Sequence, residues 1–402
     1  MKQETTGSSP QQATARDSRG GVAALVIGHC AGLMDITALP VWVGMVLIGG
    51  LAIEPQRAGF LLSLFLGSVV LSSLYFAPRL IKLRRKHFTW GAYGLAAATF
   101  ACMPSLSDTY AFLAAAHVIA GMSVGCGLTM VHGTMGGTAN PHRTAAIAFT
   151  SLSLISIVLM ATLPPALVKL GPNLFFYTMA GIMLTASIAS LLAFPNVGAA
   201  AEHGVVTGVR VPRRVWYGIA GVSLLMVSHS MVFGFVERIG AGHGFSSAQI
   251  TTALIVSGFA NLVPVALSGF LEQRLRAASV IVAGPLIQAA AALVVTNRPE
   301  FEVYVLATCV LIAVVTFTHV FAFGVLARLD PTGRVVGATP VMVMTGSATG
   351  PLIGGVLAQH VGYSSLGWCA ILLGTLCATS FWLCCREQTV ANGQLAQSRS
   401  GA

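Results

Sequence analysis

A chain of 402 residues with 55% apolar and only 8% charged side chains cannot cover itself with a surface suited to water. Its formal charge of +10 would suit a nucleic-acid partner if the cations shared one face, but they sit in short polar breaks between apolar runs, which excludes that class and points to a membrane. The eight cysteines lie scattered in the apolar runs without CxxC pairs or metal-ligand spacing, so they read as small apolar fillers and neither a metal nor another cofactor is expected.

Residues 1–20 are polar and rich in Ser, Thr and Gln, a flexible cytoplasmic tail, and the apolar run that follows is too long for a signal-peptide core. A bilayer core about 30 Å thick takes roughly 20 apolar residues per helix. The runs are continuous rather than alternating, which predicts helices and not a β-barrel. Windows fall at 22–50, 56–78, 88–106, 110–133, 144–168 and 174–194, then at 215–238, 249–271, 277–296, 302–327, 335–358 and 364–385. The break at 195–214, with Pro195, Gly204, Gly208, Arg210, Arg213 and Arg214, is a cytoplasmic linker between an N-terminal bundle, 21–194, and a C-terminal bundle, 215–385; residues 386–402 form a second cytoplasmic tail.

The expected fold is therefore an all-α integral membrane protein of about twelve transmembrane helices in two pseudo-symmetric six-helix bundles. These breaks put eighteen of the twenty-two Lys and Arg residues on one side, leaving Arg57, Lys169, Arg238 and Arg298 on the other. That asymmetry places both termini in the cytoplasm, in a bacterial-type inner membrane.

The halves resemble each other. Asn140-Pro141-His142-Arg143 precedes the fifth window and Asp330-Pro331-Thr332-Gly333-Arg334 the eleventh, and from Arg143 and Arg334 the match runs without gaps at an offset of 191. Pro78-Arg79-Leu80 after the second window resembles Gln273-Arg274-Leu275 after the eighth. Gly121 with Gly125, Gly346 with Gly350 and Gly350 with Gly354 are spaced for close helix contact. Pro351 removes a backbone donor within the last of these, making Gly350, Pro351 and Gly354 the candidate flexing element.

With these features in hand, residues 21–385 resemble the major facilitator superfamily. The family's loop after the second helix has the form Gly-x-Leu-x-Asp-Arg-x-Gly-Arg-Arg; here the basic residues Arg79, Arg84 and Arg85 are present, while the opening Gly and the Asp are not. In the second half Gly269, Leu271 and Arg274 fit, with Gln273 at the Asp position. Gly350-Pro351 to Gly354-Gly355 also looks like the family, whereas the fifth window has Pro164-Pro165 and lacks the antiporter Gly-Pro motif. The resemblance implies a monomeric carrier whose first, fourth, seventh and tenth helices line a central cavity.

An ionised side chain at mid-bilayer costs at least about 2.5 kcal/mol, so an acid there is a functional candidate. Asp35, in His29-Cys-Ala-Gly-Leu-Met-Asp35, is the clearest, as a binder of a proton or of substrate; a structural Asp bonded to a neighbouring helix is the plain alternative. The seventh window supplies Ser228, His229 and Ser230 at a matching depth, and the tenth supplies Thr316, Thr318 and His319. His229 and His319 are proton-coupling candidates with Asp35, because imidazole titrates in the useful range. Ser228, Ser230, Thr316, Thr318 and His29 are cavity candidates, although His29 lies roughly 120° off the Asp35 face. The fourth window adds His117 and, near its cytoplasmic end, His132. Any single histidine here reads more readily as a helix-contact residue, and depth sets His229 and His319 apart from the rest. Glu237 is a gate candidate; as sequence neighbours, it and Arg238 point apart, and each is expected to pair elsewhere or contact water.

No Lys or Arg falls inside a window away from its ends, so a neutral, weakly acidic or cationic solute fits better than a strongly anionic one. The expected function is secondary transport of a small organic solute by alternating access, coupled to protons and running as uptake; proton-driven export of a drug or metabolite is the alternative. A polytopic enzyme would need clustered ionisable residues, and a sensor a soluble output domain; the short acid-poor loops and small tails supply neither.

Overall fold

The computed structural model describes residues 18–195, 212–271, 274–330 and 339–400. The N-terminal tail before Ser18, most of the expected linker with Arg210, the loop residue Gln273 and the segment Pro331–Arg334 lie outside the described residues. Among those described, every regular element is a helix.

Helix α1, Arg19–Pro40, opens where Ser18 Oγ accepts the Gly21 N–H at 3.0 Å. Pro40 has no N–H to return to Ile36, and beyond it the chain winds as a π-helix, Val41–Gly50. The wider turn closes with Leu51 N–H on Val46 O, five residues back, at 2.8 Å. Helix α2, Pro55–Phe76, runs into a 3-10 turn, Ala77–Lys82. Then come α3, Arg85–Leu106, α4, Tyr110–Met135, α5, Pro141–Leu170, and α6, Asn173–Ala193. The start of α5 is written in its sequence: Asn140 Oδ1 accepts the Arg143 N–H at 2.9 Å, and Pro141 occupies the first turn, where its missing donor costs nothing.

The second half begins with α7, Arg213–Phe233, which breaks at Gly234–Phe235 and resumes as the short α8, Val236–Gly242. Ser246 and Gln249 form a reciprocal capping box at the start of α9, Ser247–Ala260, which is followed by α10, Leu262–Leu271. The expected window 249–271 is thus two helices. The reason is Pro264, which cannot bond back to Ala260 and crowds its carbonyl, so the helix ends at Asn261. The chain finishes with α11, Ala277–Asn297, α12, Phe301–Leu329, α13, Thr339–His360, and α14, Ser364–Ser400, which carries helix well past the expected end of the last span.

Among the described residues ten helices are long and apolar enough to cross a membrane. The two expected windows outside that set are α3, which starts with Arg85-Lys86-His87, and the broken α9–α10 pair. Leu170 and Leu192 are 72% and 75% exposed, a placement that lipid tolerates and water does not.

Two compact units result, one of residues 18–53 and 64–195, the other of 54–63 and 212–400. In the first, α1 packs on α4, α5 and α6, and α3 lies between α4 and α6. In the second, α7 packs on α13 and α14, and α12 on α9, α10 and α11. Glycines let helices approach closely: Gly121 and Gly125 of α4 rest on the Phe65 and Val69 carbonyls of α2, and Gly346 and Gly350 of α13 on the Ser223 and Val227 carbonyls of α7.

A buried carboxyl and paired histidines

Gly28, Gly32 and Asp35 lie at i, i+4 and i+7 on one face of α1. The absent side chains of the glycines admit Val131 and Leu128 of α4 and the Tyr93 ring of α3. Tyr93 donates its hydroxyl to the Gly28 carbonyl at 2.6 Å. Asp35 is wholly buried one turn further on; its Oδ1 accepts the Ile36 N–H at 2.8 Å, and its Oδ2 has no hydrogen-bond partner. A bare carboxylate oxygen inside an apolar bundle is costly, so this group is suited to holding a proton or a ligand.

His29, the next residue after Gly28, turns to a different neighbour. Its Nδ1 lies 3.0 Å from Nε2 of His132 on α4, and its ring meets Phe149 of α5 edge-on, with centroids 4.7 Å apart. His29 is buried with Nε2 unpartnered, whereas His132 is half-buried. This pair joins residues 103 positions apart, and no sequence signal linked them.

In the π-helical run Trp42 is enclosed by Phe65, Phe100, Phe175 and His117, with the His117 ring stacked at 5.5 Å. His117 Nδ1 is 2.8 Å from Leu113 O; a carbonyl only accepts, so Nδ1 carries the hydrogen and Nε2 presents a lone pair. That lone pair and the Trp42 N–H are both buried and unpartnered.

The second unit repeats one arrangement on two helices. His229 of α7 stacks on Phe233 at 5.2 Å and His319 of α12 on Phe323 at 5.4 Å, and the two imidazoles interact electrostatically. His319 also bonds the Val315 carbonyl, leaving its buried Nε2, like Nδ1 of His229, without a partner. Ser228 Oγ and Thr318 Oγ1 are buried and unpartnered as well. Ser230 and Thr316 are differently placed: Ser230 Oγ donates to Met226 O at 2.8 Å and reaches Gly346 O at 3.5 Å, and Thr316 Oγ1 donates to Asn261 Oδ1 at 2.7 Å, tying α12 to the break between α9 and α10.

Glu237, in the first turn of α8, is 8% exposed with Oε2 unpartnered. It and Arg238 interact electrostatically, and the short α8 that carries them lies against two tyrosines. Arg238 interacts with Glu237 and hydrogen-bonds Tyr363, while Tyr304 of α12 donates to Val236 O at 2.7 Å. Burial pushes the Tyr363 phenol up, against the pull of Arg238.

The model of the Major Facilitator Superfamily matches residues 25–331, more than half of the chain. The chain belongs to the major facilitator superfamily. No curated protein matches its sequence. Among solved structures, the crystal structure of a D-xylose-proton symporter superposes with a TM-score of 0.69 at 13% identity, covering 90% of this chain and 97% of that one. The likeness establishes a shared fold. This superfamily member is thus a multi-pass membrane protein and a secondary transporter, not an enzyme.

The loop after α2 is held by contacts of its basic residues. Arg79 folds back on α2, its Nη1 donating to Tyr75 O at 2.5 Å and its guanidinium 4.0 Å from the Tyr75 ring. Arg84 is exposed before α3. Arg85 is buried and donates to Leu80 O at 3.4 Å and to Gly133 O of α4 at 3.2 Å, anchoring the loop to the end of α4 although Pro78 stands at the acid's position. Arg274 is exposed after α10. In α13, Gly350 meets Ser230 and Met231 and Gly354 meets Phe235, and the helix runs unbroken through Pro351. Among the described residues no group of three His, Cys, Asp or Glu is placed to hold a metal ion.

Proposed function

We propose that this superfamily member couples proton movement to the uptake of a small organic solute, with Asp35 as the coupling group. The observation that supports the reading is the wholly buried Asp35 carboxyl, one of whose oxygens has no hydrogen-bond partner. A group so placed binds a proton or a polar ligand in exchange for the hydration it lost. His229 and His319 join it as proton-handling groups, and Ser228 and Thr318, with hydroxyls free of partners, as solute contacts.

The solute is neutral, weakly acidic or cationic. Among the described residues the one buried arginine outside the Glu237 cluster is Arg85, at the end of α3, and its guanidinium is engaged by carbonyls. Symport is preferred to antiport because the fifth window has Pro164-Pro165 in place of the antiporter Gly-Pro motif. Twelve spans, cytoplasmic termini, a bacterial-type inner membrane and action as a monomer belong to the same proposal.

The test is solute-driven proton movement in proteoliposomes carrying a pH-sensitive dye, with pools of small organic compounds added outside and Asp35→Asn compared with wild type. A pool that moves protons in wild type and not in the variant supports proton-coupled transport through Asp35. Equal proton movement in both removes Asp35 from coupling. Solute equilibration with no proton signal in either makes the protein an uncoupled facilitator.

A further inference from the structure

The first unit contains polar groups on two faces of α1, Asp35 on one and His29 roughly 120° around on another, that the coupling role of Asp35 does not by itself require. Asp35 is wholly buried, and its Oδ2 has no hydrogen-bond partner. The Tyr93 hydroxyl lies against Gly32 and is bonded to the Gly28 carbonyl. His29 follows Gly28 directly, and its Nδ1 lies 3.0 Å from His132 Nε2. His132 is half-buried, one turn from the end of α4 at Met135, on the side that carries Arg84 and Arg143. Burial thus falls from the closed Asp35 to a residue that reaches the basic face.

We propose that the His29–His132 pair is the proton path between Asp35 and the basic side of the membrane. It rests on the reading of Asp35 as the coupling group.

The chemistry balances with the groups present. In the resting pair His29 Nδ1–H donates to His132 Nε2, which leaves a lone pair on His29 Nε2, the atom that is buried without a partner. The other tautomer would bury an N–H donor there unsatisfied, a worse arrangement. A proton from the Asp35 side adds to His29 Nε2, the Nδ1 proton moves to His132 Nε2, and His132 gives up its Nδ1 proton to water. One proton enters and one leaves, and the hydrogen bond is left pointing from His132 to His29. Asp35 and His29 are six residues apart, about 9 Å along the axis, and the Tyr93 hydroxyl stands in that interval.

The surroundings favour passage over storage. The titratable and charged groups near the pair are Cys30, next to His29 in sequence, and the Arg85 guanidinium on the Gly133 carbonyl, one residue from His132; Asp35, Cys126 and Cys30 interact electrostatically with Tyr93 of α3. From α5 the ring neighbour is Phe149, and Arg143 is exposed; the one titratable residue of α6 within the fold, Tyr177, is exposed. No carboxylate among these, apart from Asp35, would hold a proton on the imidazoles.

The experiment separates net proton-driven uptake from solute exchange, which needs no proton to leave the carrier. It uses the full-length protein in proteoliposomes and the solute pool that moves protons in wild type. His132→Gln and His29→Gln are each expected to lower the ratio of net uptake to exchange by at least about tenfold, the scale of a lost proton-transfer group. Imidazole buffer on both sides is expected to restore the ratio in His132→Ala, where the half-buried site is open to it.

A fall of net uptake and exchange together, in His132→Gln with its folded state confirmed by thermal melting, would mean the pair is structural and overturn the proposal. Wild-type ratios in both Gln variants would overturn it equally. If Asp35→Asn keeps net uptake, the underlying reading has failed and not the path alone. Should His29→Gln not fold, His132→Gln and the imidazole rescue decide the matter by themselves.

Discussion

The Tyr93 hydroxyl of α3 and the Gly28 carbonyl of α1 are 2.6 Å apart, and the bond crosses a contact that exists because Gly28, Gly32 and Gly127 have no side chains to keep the ring out. One phenol therefore fills the space between three helices and supplies a hydrogen bond in a region without solvent. The two contributions separate by mutation.

Tyr93→Phe keeps the ring and loses the bond, for a cost of about 0.6–1 kcal/mol. Tyr93→Ala also opens a cavity and costs about 3–5 kcal/mol. Thermal melting in detergent measures both; equal losses would show that packing contributes nothing there.

Gly125 of α4 sits on the Val69 carbonyl, whereas a Cβ at Gly181 of α6 would meet nothing within 4 Å. Gly125→Ala must push two backbones apart and is expected to destabilise by about 1–3 kcal/mol. Gly181→Ala is expected to be neutral or to stabilise by up to about 1 kcal/mol, because alanine is the better helix former. The same melting assay on both variants checks the opposite signs.

Arg84 and Arg85 are neighbours in a basic loop, yet one is exposed and the other is 5% exposed and bound to two carbonyls. Arg85→Ala is expected to cost about 1.5–3 kcal/mol, the range for hydrogen bonds from a charged donor. Arg84→Ala is expected to stay within about 0.5 kcal/mol of wild type. If both variants melt alike, the carbonyl bonds of Arg85 hold nothing in place.

Thr316 and Asn261 meet at 2.7 Å across α12 and the α9–α10 break. A double-mutant cycle with Thr316→Val and Asn261→Ala is expected to give a coupling energy near about 0.6 kcal/mol, the average for polar contacts between membrane helices. Zero coupling would mean that the break is held by Pro264 alone.

Much of the architecture was legible in one dimension, because in a bilayer each helix satisfies its own backbone and must be apolar over a set length. Windows such as 110–133 and 277–296 match α4, Tyr110–Met135, and α11, Ala277–Asn297, for that reason. Asn140-Pro141 announced the start of α5 through purely local chemistry. The break at Asn261 was legible in principle from Pro264, but continuous apolarity on both sides of it masked the signal.

The sequence by itself determined the solvent, the helices and the presence of an acid, Asp35, where only a special role justifies one. It also supplied the segregated cations, since electrostatics between a charged loop and a membrane depends on order along the chain and little else. Only the tertiary structure decided which polar groups meet. His29 and His132 pair across 103 residues, Ser230 spends its hydroxyl on a carbonyl while Ser228 two residues away does not, and Arg85 turns inward where Arg84 turns out. Such choices follow from the rotation of each helix about its axis, which is set by packing against neighbours far away in sequence, and no local pattern encodes it.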